Sequence, residues 1–571
     1  MKEKKEALAV LKYEDLLNNL SDYVRYYSKK RKNFIALAEF DTGEKISWKK
    51  FNQSIDAFAA KLLSCGFKKG DILATSLPLL KEHVYLIYAC YRTGIIIAPL
   101  DLRLKAEEII YCFEKIKPRA YFFLGKTPLA DFRPIITQVM KSVSGVNLWV
   151  QFQKEPEFIM EGATGITDFA KDIKKIYIKN IFSGVVKKAR SLVGKRDAAL
   201  IIFTTGSTGS PKPALLCHEN ILIQNIGLSV AFEIADDDAL LVNLPPSHVG
   251  CVTEQLATSI FVGCKSVILH IFNAEKSIKA IEQEKVTVIG QIPALFNLEW
   301  QLPDYAKYDI SSLRFILYGG QEVPVEFLKK MQTMAPKIGT GLGLTETAGF
   351  CTYTDTDAMI SEIARSIGYD MKITPISIRE PMNSDGMAGK EANPGEIGEI
   401  CFSGPQVFLG YYKDDENTAK AVSKDGVCYT GDMGYYDNEG LHFVGRSKFV
   451  IKPRGYQVYP QDVVNHISQN LGARAASIAC VGVPHDVYME AIMAFVELAP
   501  GCSITPEEVI ESCNDISSYS RPLYAVILEP GSMPLNRVAK VDYMDLKNKA
   551  IKIIDELRDK GEWDRRVDHK M

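Results

Sequence analysis

No two cysteines in this sequence are spaced as Cys-x-x-Cys. The 12 cysteines are scattered singly from Cys65 to Cys513. That pattern excludes a disulfide framework or a structural zinc site and fits reduced thiols. Long apolar runs are also missing. The most apolar stretch, Val84 to Leu100, is broken by Arg92 and is too short to span a bilayer. The opening "MKEKKEALAVLKYEDLL" lacks a sustained apolar segment and a small-residue cleavage site, so no signal peptide is expected and the cytoplasm is the expected location. An excess of one charge is absent too: 68 Lys and Arg face 70 Asp and Glu, for a net charge of -2. Nucleic acid is therefore not an expected partner, since phosphate neutralisation needs clustered basic residues.

What is present is an ordinary globular composition, 47% hydrophobic and 24% charged, in 571 residues. That length exceeds one hydrophobic core and implies several domains. Trp48 to Asp71 carries apolar residues at helical spacing and ends on Gly-Asp. "ILATSLP", "EHVYLIYACYRTG" and "IIIAPLD" then read as strand, helix and strand. This alternation predicts a parallel sheet with helices on both faces. Residues 156–197 are basic, lack strand signals and read as a surface helical connector. The alternation resumes in "SVILHIF", "VTVIGQIPALFN" and "LRFILYGG". From about Gly395 the chain turns to Gly, Tyr and Val with period-two alternation, which predicts short antiparallel strands. Beyond Pro460 a helix, two strands and a helix suggest a small α+β domain, and the charged tail reads as a helix end or a frayed terminus.

The segment with most chemistry is "IIFTTGSTGSPKPALLCHENI", Ile201 to Ile221. A Gly-rich loop after a strand exposes consecutive N–H groups that hold anions, and glycine permits close approach and positive φ. Hydroxyls add donors, and Lys212 adds a mobile cation. Pro211 and Pro213 flank Lys212, so a P-loop helix cannot start there in the usual way. Read alone, the segment is either a phosphate-binding loop of another kind or a flexible linker.

Read with the rest of the chain, "TTGSTGSPK" resembles the phosphate loop of the adenylate-forming superfamily, which includes AMP-forming acyl-CoA synthetases. The other motifs follow in that superfamily's order: "LPPSHVGCVTEQL" (Leu244 to Leu256), "GLGLTET" (Gly341 to Thr347), "YTGDMGYYDNEG" (Tyr429 to Gly440), "GRSKFVIKPRGYQVYP" (Gly445 to Pro460) and "MPLNRVAKVD" (Met533 to Asp542). The resemblance runs from about Trp48 to Asp542. It implies an α/β fold: a large N-terminal adenylation domain of parallel sheets flanked by helices, with a small β-barrel subdomain, over residues 1–447. A small mobile α+β C-terminal lid domain would follow over residues 448–571.

The same resemblance implies the chemistry. A carboxylate would attack the α-phosphorus of ATP, giving an acyl-adenylate and pyrophosphate, and coenzyme A would then displace AMP. Thr204, Thr205, Gly206, Ser207, Thr208, Gly209 and Lys212 would cradle the β and γ phosphates. Thr345 would bond the α-phosphate and Glu346 would hold Mg2+, a hard cation suited to one carboxylate plus phosphate oxygens. Asp432 would accept both ribose hydroxyls, with Arg446 beside it. Gly320, Gln321 and Leu342 would line the adenine site. Lys540 would stabilise the charge that develops as the carboxylate attacks. Lys448 would lie at the hinge of a rotating C-terminal domain, whose other pose presents the loop around Gly455 to a thiol channel. Lys448 equally fits an exposed loop lysine, and His248 is either a gate of the acyl pocket or a packed, hydrogen-bonded residue.

The sequence departs from the superfamily pattern at Pro213, Leu342, Phe449, Ala539 and Tyr543. No departure removes a charged catalytic group. Gly343 stands where acetate-specific relatives carry Trp, which implies volume for a longer or cyclic acyl group. The candidate lining segments, "GQIPALFNLEW", "YGGQ" and "TAGF", hold no Lys or Arg, so no second substrate charge is expected. Medium-chain, alicyclic and aromatic acids remain open. A carrier-protein thiol as acceptor and a non-catalytic nucleotide-binding module are the rival readings. A homodimer is compatible with the sequence and not required by it.

Overall fold

A computed structural model describes residues 2–204, 211–536 and 540–566. Among these residues the α/β alternation resolves into two seven-stranded sheets. In one, the order from edge to edge is Lys337–Gly339, Phe315–Tyr318, Val288–Gln291, Ala239–Val242, Lys265–Ile268, Ile35–Glu39 and Glu44–Ser47. In the other it is Thr164–Gly165, Leu148–Phe152, Ala120–Leu124, Ile72–Ser76, Ile96–Pro99, Ala198–Thr204 and Lys212–Cys217. Each sheet is parallel except for its last strand, which returns antiparallel. The central strands are buried on both faces, which is why they read as unbroken apolar runs rather than alternating ones.

The helices follow from local signals. Ser47 caps the helix Trp48–Ser64 by accepting from the Lys50 N–H at 3.3 Å. Gly94, with φ 73°, ends the helix Lys81–Thr93 in the left-handed conformation that glycine adopts without a Cβ penalty. The helix His218–Ala231 is buried almost throughout, its polar residues Asn220, Gln224 and Asn225 included. The run "VTVIGQIPALFN" divides at Ile292: Val288–Gln291 is strand, and Pro293 opens a helix at its first position.

Two expectations need correction. Residues 156–197 do contain a strand, Thr164–Gly165, paired in parallel at the sheet edge with Val150 and Gln151. Two residues are too few to carry a period. The tail is not frayed up to Arg566: Trp563 is fully buried and donates its indole N–H to the Pro484 carbonyl at 2.8 Å. Its apolar ring outweighs the charged residues around it.

After the second sheet comes a four-stranded antiparallel subdomain, Ile376–Arg379, Gly398–Phe402, Cys428–Asp437 and Gly440–Arg446. Residues 451–566 then build hydrophobic clusters of their own around a three-stranded sheet, Ala475–His485, Met489–Leu498 and Pro522–Leu528. No helix among the described residues is long and apolar enough to cross a membrane.

Candidate active site

A cavity of about 1020 Å³ opens where the parallel strands end. It is lined by the residues that follow the strands at their carboxyl ends: Leu77 and Pro78, Asn243 and Leu244, Gln291 and Ile292, Gly319 and Gly320. In open α/β sheets this is the position where adjacent loops diverge and leave a crevice.

One side of the cavity carries charged and hydroxyl groups. Thr204 ends one strand and Lys212 begins the next as its cross-strand partner, and both line the cavity. Lys212 thus opens a strand, not a helix, as its two flanking prolines imply. Thr205, Gly206, Ser207, Thr208 and Gly209 lie outside the described residues. Thr345 and Glu346 occupy a single 3-10 turn, Thr345–Thr347, directly after the short strand Gly343–Leu344. The Thr347 hydroxyl accepts from the Leu344 N–H at 3.1 Å, and Phe408 N–H donates to the Glu346 carbonyl at 2.8 Å. These bonds fix the turn with Thr345 and Glu346 in the lining.

Asp432 and Arg446 are paired across neighbouring strands, and their side chains meet at 3.0 Å. The aspartate side chain is 4% exposed and the arginine 44%. Arg446 and the adjoining Gly431 line the cavity, with Asp432 immediately behind.

Lys540 reaches the same space from the C-terminal region. A Cβ built on Gly320 would stand 3.0 Å from Lys540 Cε and 3.5 Å from Nζ. Gly320 has φ +95°, so only glycine both adopts this backbone and leaves room for the lysine. Burial, and secondarily the Arg446 charge, lower the Lys540 pKa, while Asp432 and Glu254 oppose the shift. Asn536 holds the segment by accepting the Lys540 N–H at 3.1 Å.

The other side of the cavity is mostly apolar, with Leu244, Ile292, Leu295, Leu317 and Phe350 in the lining. His248 stands here. Its Nδ1 accepts the Gly250 N–H at 3.0 Å, which leaves the ring proton on Nε2. Burial first, then the Lys540 charge, push its pKa down to about 4, so the ring is neutral near pH 7.

Not every expected residue reaches the cavity. Gln321 is exposed and Leu342 packs against the core, and neither is in the lining. Gly455, with φ +86°, ends the turn Pro453–Gly455 in the C-terminal region, also away from this lining. Lys448 lies in the turn Ser447–Phe449 directly after the strand that carries Arg446. Gly343 lines the cavity, yet its Cβ would fall 2.3 Å from the Gly349 carbonyl group. The missing side chain admits the neighbouring backbone; it does not open acyl volume, and that sequence argument fails.

Three site residues escaped sequence reasoning. Tyr411 donates its hydroxyl to Glu346 Oε1 at 2.6 Å, and the Lys212 ammonium lies 5.2 Å from its ring centre. Glu399 lines the cavity and accepts the Gly431 N–H at 2.8 Å; burial raises its pKa. Glu254 lines the apolar side; the expectation of no second substrate charge rests on the absence of Lys and Arg and takes no account of a carboxylate there. Each sits in a segment whose role depends on tertiary contact. Only the motif around His248 gave a signal, as it contains Glu254.

The donor set suits Mg2+. Glu346 lines the cavity beside Thr345, steadied at one oxygen by Tyr411, and no group of three metal-ligating side chains exists among the described residues. Mg2+ is characteristically held by one or two carboxylates together with phosphate oxygens and water.

The pattern of the AMP-binding enzymes matches residues 24–412, and the chain belongs to that family. It is 27% identical over 470 residues to a feruloyl-CoA synthase from an Amycolatopsis species, covering 82% of this chain and 87% of that protein. It is 24% identical over 518 residues to the medium-chain fatty-acid–CoA ligase of Escherichia coli strain K12, covering 90% and 87%. The ATP-bound structure of MatB from Rhodopseudomonas palustris shares the fold, with a TM-score of 0.76 at 21% identity over 94% of this chain and 99% of that one. The class so defined is the AMP-forming acid–thiol ligases, which use ATP, Mg2+ and coenzyme A.

Proposed function

We propose that this chain is an AMP-forming carboxylate–CoA ligase acting on a medium-chain, alicyclic or aromatic acid. The observation that carries the reading is Lys540, which leaves its own C-terminal region to stand beside Gly320 in the cavity that Thr345, Glu346 and Arg446 line. In this reading residues 1–447 form the adenylation domain and 448–571 a lid.

The problem to be solved is anionic: a carboxylate must approach a polyphosphate. Thr204 and Lys212, with the loop between them, hold the terminal phosphates. Thr345 bonds the α-phosphate. Asp432 accepts the ribose hydroxyls, oriented by its hydrogen bond from Arg446. Glu346 holds the metal, which neutralises phosphate charge when bound. Lys540 donates to the acid and the α-phosphate together, so its contacts strengthen as charge builds between them. Burial lowers its pKa, and the negative charge of a bound polyphosphate opposes that shift. Neutral His248 stands where the acyl group enters. Rotation about Lys448 then withdraws Lys540 and brings the Gly455 loop toward the incoming thiol.

The test is pyrophosphate release with ATP, Mg2+ and a panel of octanoate, cyclohexanecarboxylate, benzoate and cinnamate, followed by thioester formation on adding CoA. Release with at least one acid and transfer to CoA are expected. Binding of ATP with no release for any acid would sink the proposal, and transfer only to a carrier-protein thiol would replace its second half.

A further inference from the structure

Glu254 is a carboxyl group set among apolar neighbours, and the adenylation chemistry above does not use it. The chain reaches this position through a π-helical turn, Gly250–Gln255, that runs into the helix Leu256–Val262. Such turns insert an extra residue per turn, change which side chains face inward, and recur at functional sites. Glu254 is one of the residues brought to the cavity wall.

Its two oxygens have different surroundings. Oε1 accepts the Phe350 N–H at 3.0 Å, which anchors the group. Oε2 has no hydrogen-bond partner among the described residues and lies on the Gly250 side, where a Cβ on Gly250 would be 3.5 Å away. The same Cβ would be 3.1 Å from His248 Nδ1, so the imidazole and the free oxygen flank one glycine. His248 Nε2 also has no partner among the described residues, and it carries the ring proton. A free acceptor and a free donor therefore stand together on an apolar wall. Other polar groups nearby are already engaged: the Gln291 side chain bonds Asn243 and Glu299, and Gln255 bonds Asn243 and the Gly290 carbonyl. The glycines at 250 and 349 make room for the carboxyl, since a Cβ on Gly349 would fall only 2.4 Å from Oε1.

We infer that Glu254 is a specificity-determining residue of the acyl pocket, which takes a carboxylic acid bearing a hydrogen-bond donor, a hydroxyl or an amino group, besides the reacting carboxylate. The inference rests on the ligase reading. Oε2 faces the cavity, so an acid that supplies a donor gains a hydrogen bond there that the same acid without one cannot make, and is favoured over it. Burial raises the Glu254 pKa to about 7, opposed by the Phe350 N–H and the Lys540 charge. The titratable groups that face it are His248, Lys540, Cys351 and Tyr353. Burial holds the last two neutral, so Lys540 is the charge that acts on it. Above pH 7 the group is a carboxylate and accepts from an ammonium or a hydroxyl; below, it is an acid with one remaining acceptor oxygen.

The experiment measures kcat/KM for pyrophosphate release with matched acids: octanoate, 8-hydroxyoctanoate and 8-aminooctanoate, and cinnamate, 4-hydroxycinnamate and 4-aminocinnamate. The wild-type chain is compared with Glu254→Gln, which keeps an acceptor for Phe350, and with Glu254→Leu. In at least one series a donor-bearing acid should exceed its parent by ~10-fold or more in the wild type. In Glu254→Leu that ratio should fall to within about threefold of unity. For 8-aminooctanoate or 4-aminocinnamate the preference should grow as pH rises through 7 in the wild type and stay flat in Glu254→Gln. Parent acids turned over as well as their donor-bearing partners in both series, or a preference that survives Glu254→Leu, overturns the inference and leaves the ligase reading standing. No release with any acid in the wild type removes the ligase reading, and the inference goes with it.

Discussion

The two sides of the cavity are built differently. On the nucleotide side, polar groups are fixed by short-range structure: Thr345 and Glu346 share one turn, and Asp432 and Arg446 face each other across two strands. On the acyl side, Glu254 and His248 are placed by a π-helical turn and held by single backbone N–H groups, Phe350 and Gly250. The first side must bind a ligand whose charge never changes, so its geometry can be built into loops and hairpins. The second must match one acid among many, and a few side chains on an apolar wall are enough to set that choice.

Removal of Lys540 breaks the comparison most severely, because it is the residue both sides share. Lys540→Ala should lower the adenylation rate by ~10²- to 10³-fold, in line with removal of one preorganised donor from a transition state. Thioester formation from a supplied acyl-adenylate should change far less, since the proposed rotation withdraws Lys540 for that step. Single-turnover pyrophosphate release and adenylate consumption separate the two. An unchanged adenylation rate would mean that Lys540 stands in the cavity without taking part.

A smaller change isolates the nucleotide side. Tyr411→Phe deletes only the hydroxyl that holds Glu346 Oε1, and keeps the ring that Lys212 overlies. A hydrogen bond to a charged group is worth about 1.5–3 kcal/mol. Roughly tenfold weaker activation by Mg2+ is therefore expected, with no change in the order of preference among acids. A changed acid order would mean that the two sides are coupled and that the division drawn here is too sharp.

The division also explains what could be read from the sequence. The buried parallel strands and the short antiparallel strands beyond Gly395 were legible because unbroken apolar runs and period-two alternation are local signals. Lys212, Thr345, Glu346, Arg446 and Lys540 were legible because each sits in a short motif, and all five line the cavity. Tyr411, Glu399 and Glu254 were not. Tyr411 meets Glu346 across 65 residues, and Phe350 meets Glu254 across 96. Glu254 also lies in a turn whose phase a 3.6-residue period misplaces. Gly343 was misread for a related reason. A missing side chain says that something is close, and only the fold says whether it is a ligand or, as here, the Gly349 backbone.

The smallest effect concerns the join between the C-terminal region and the strand that carries Arg446. Phe449 and Tyr543, two departures from the superfamily pattern, stack on each other with ring centres 5.1 Å apart and planes 28° apart. Phe449 lies in the turn after the Arg446 strand, and Tyr543 follows Lys540 by three residues at the start of the helix Tyr543–Asp559. The stack therefore ties the segment that follows Lys540 to the turn that follows Arg446. Such pairs contribute about 0.5–1.5 kcal/mol beyond their buried area. Phe449→Leu retains an apolar contact and loses the stack, so adenylation should slow by roughly two- to tenfold while transfer to CoA is unchanged or faster. Equal slowing of both half-reactions would assign the pair to the packing of the C-terminal region alone. The lysine would then be held by Asn536 and its own loop, independently of that turn.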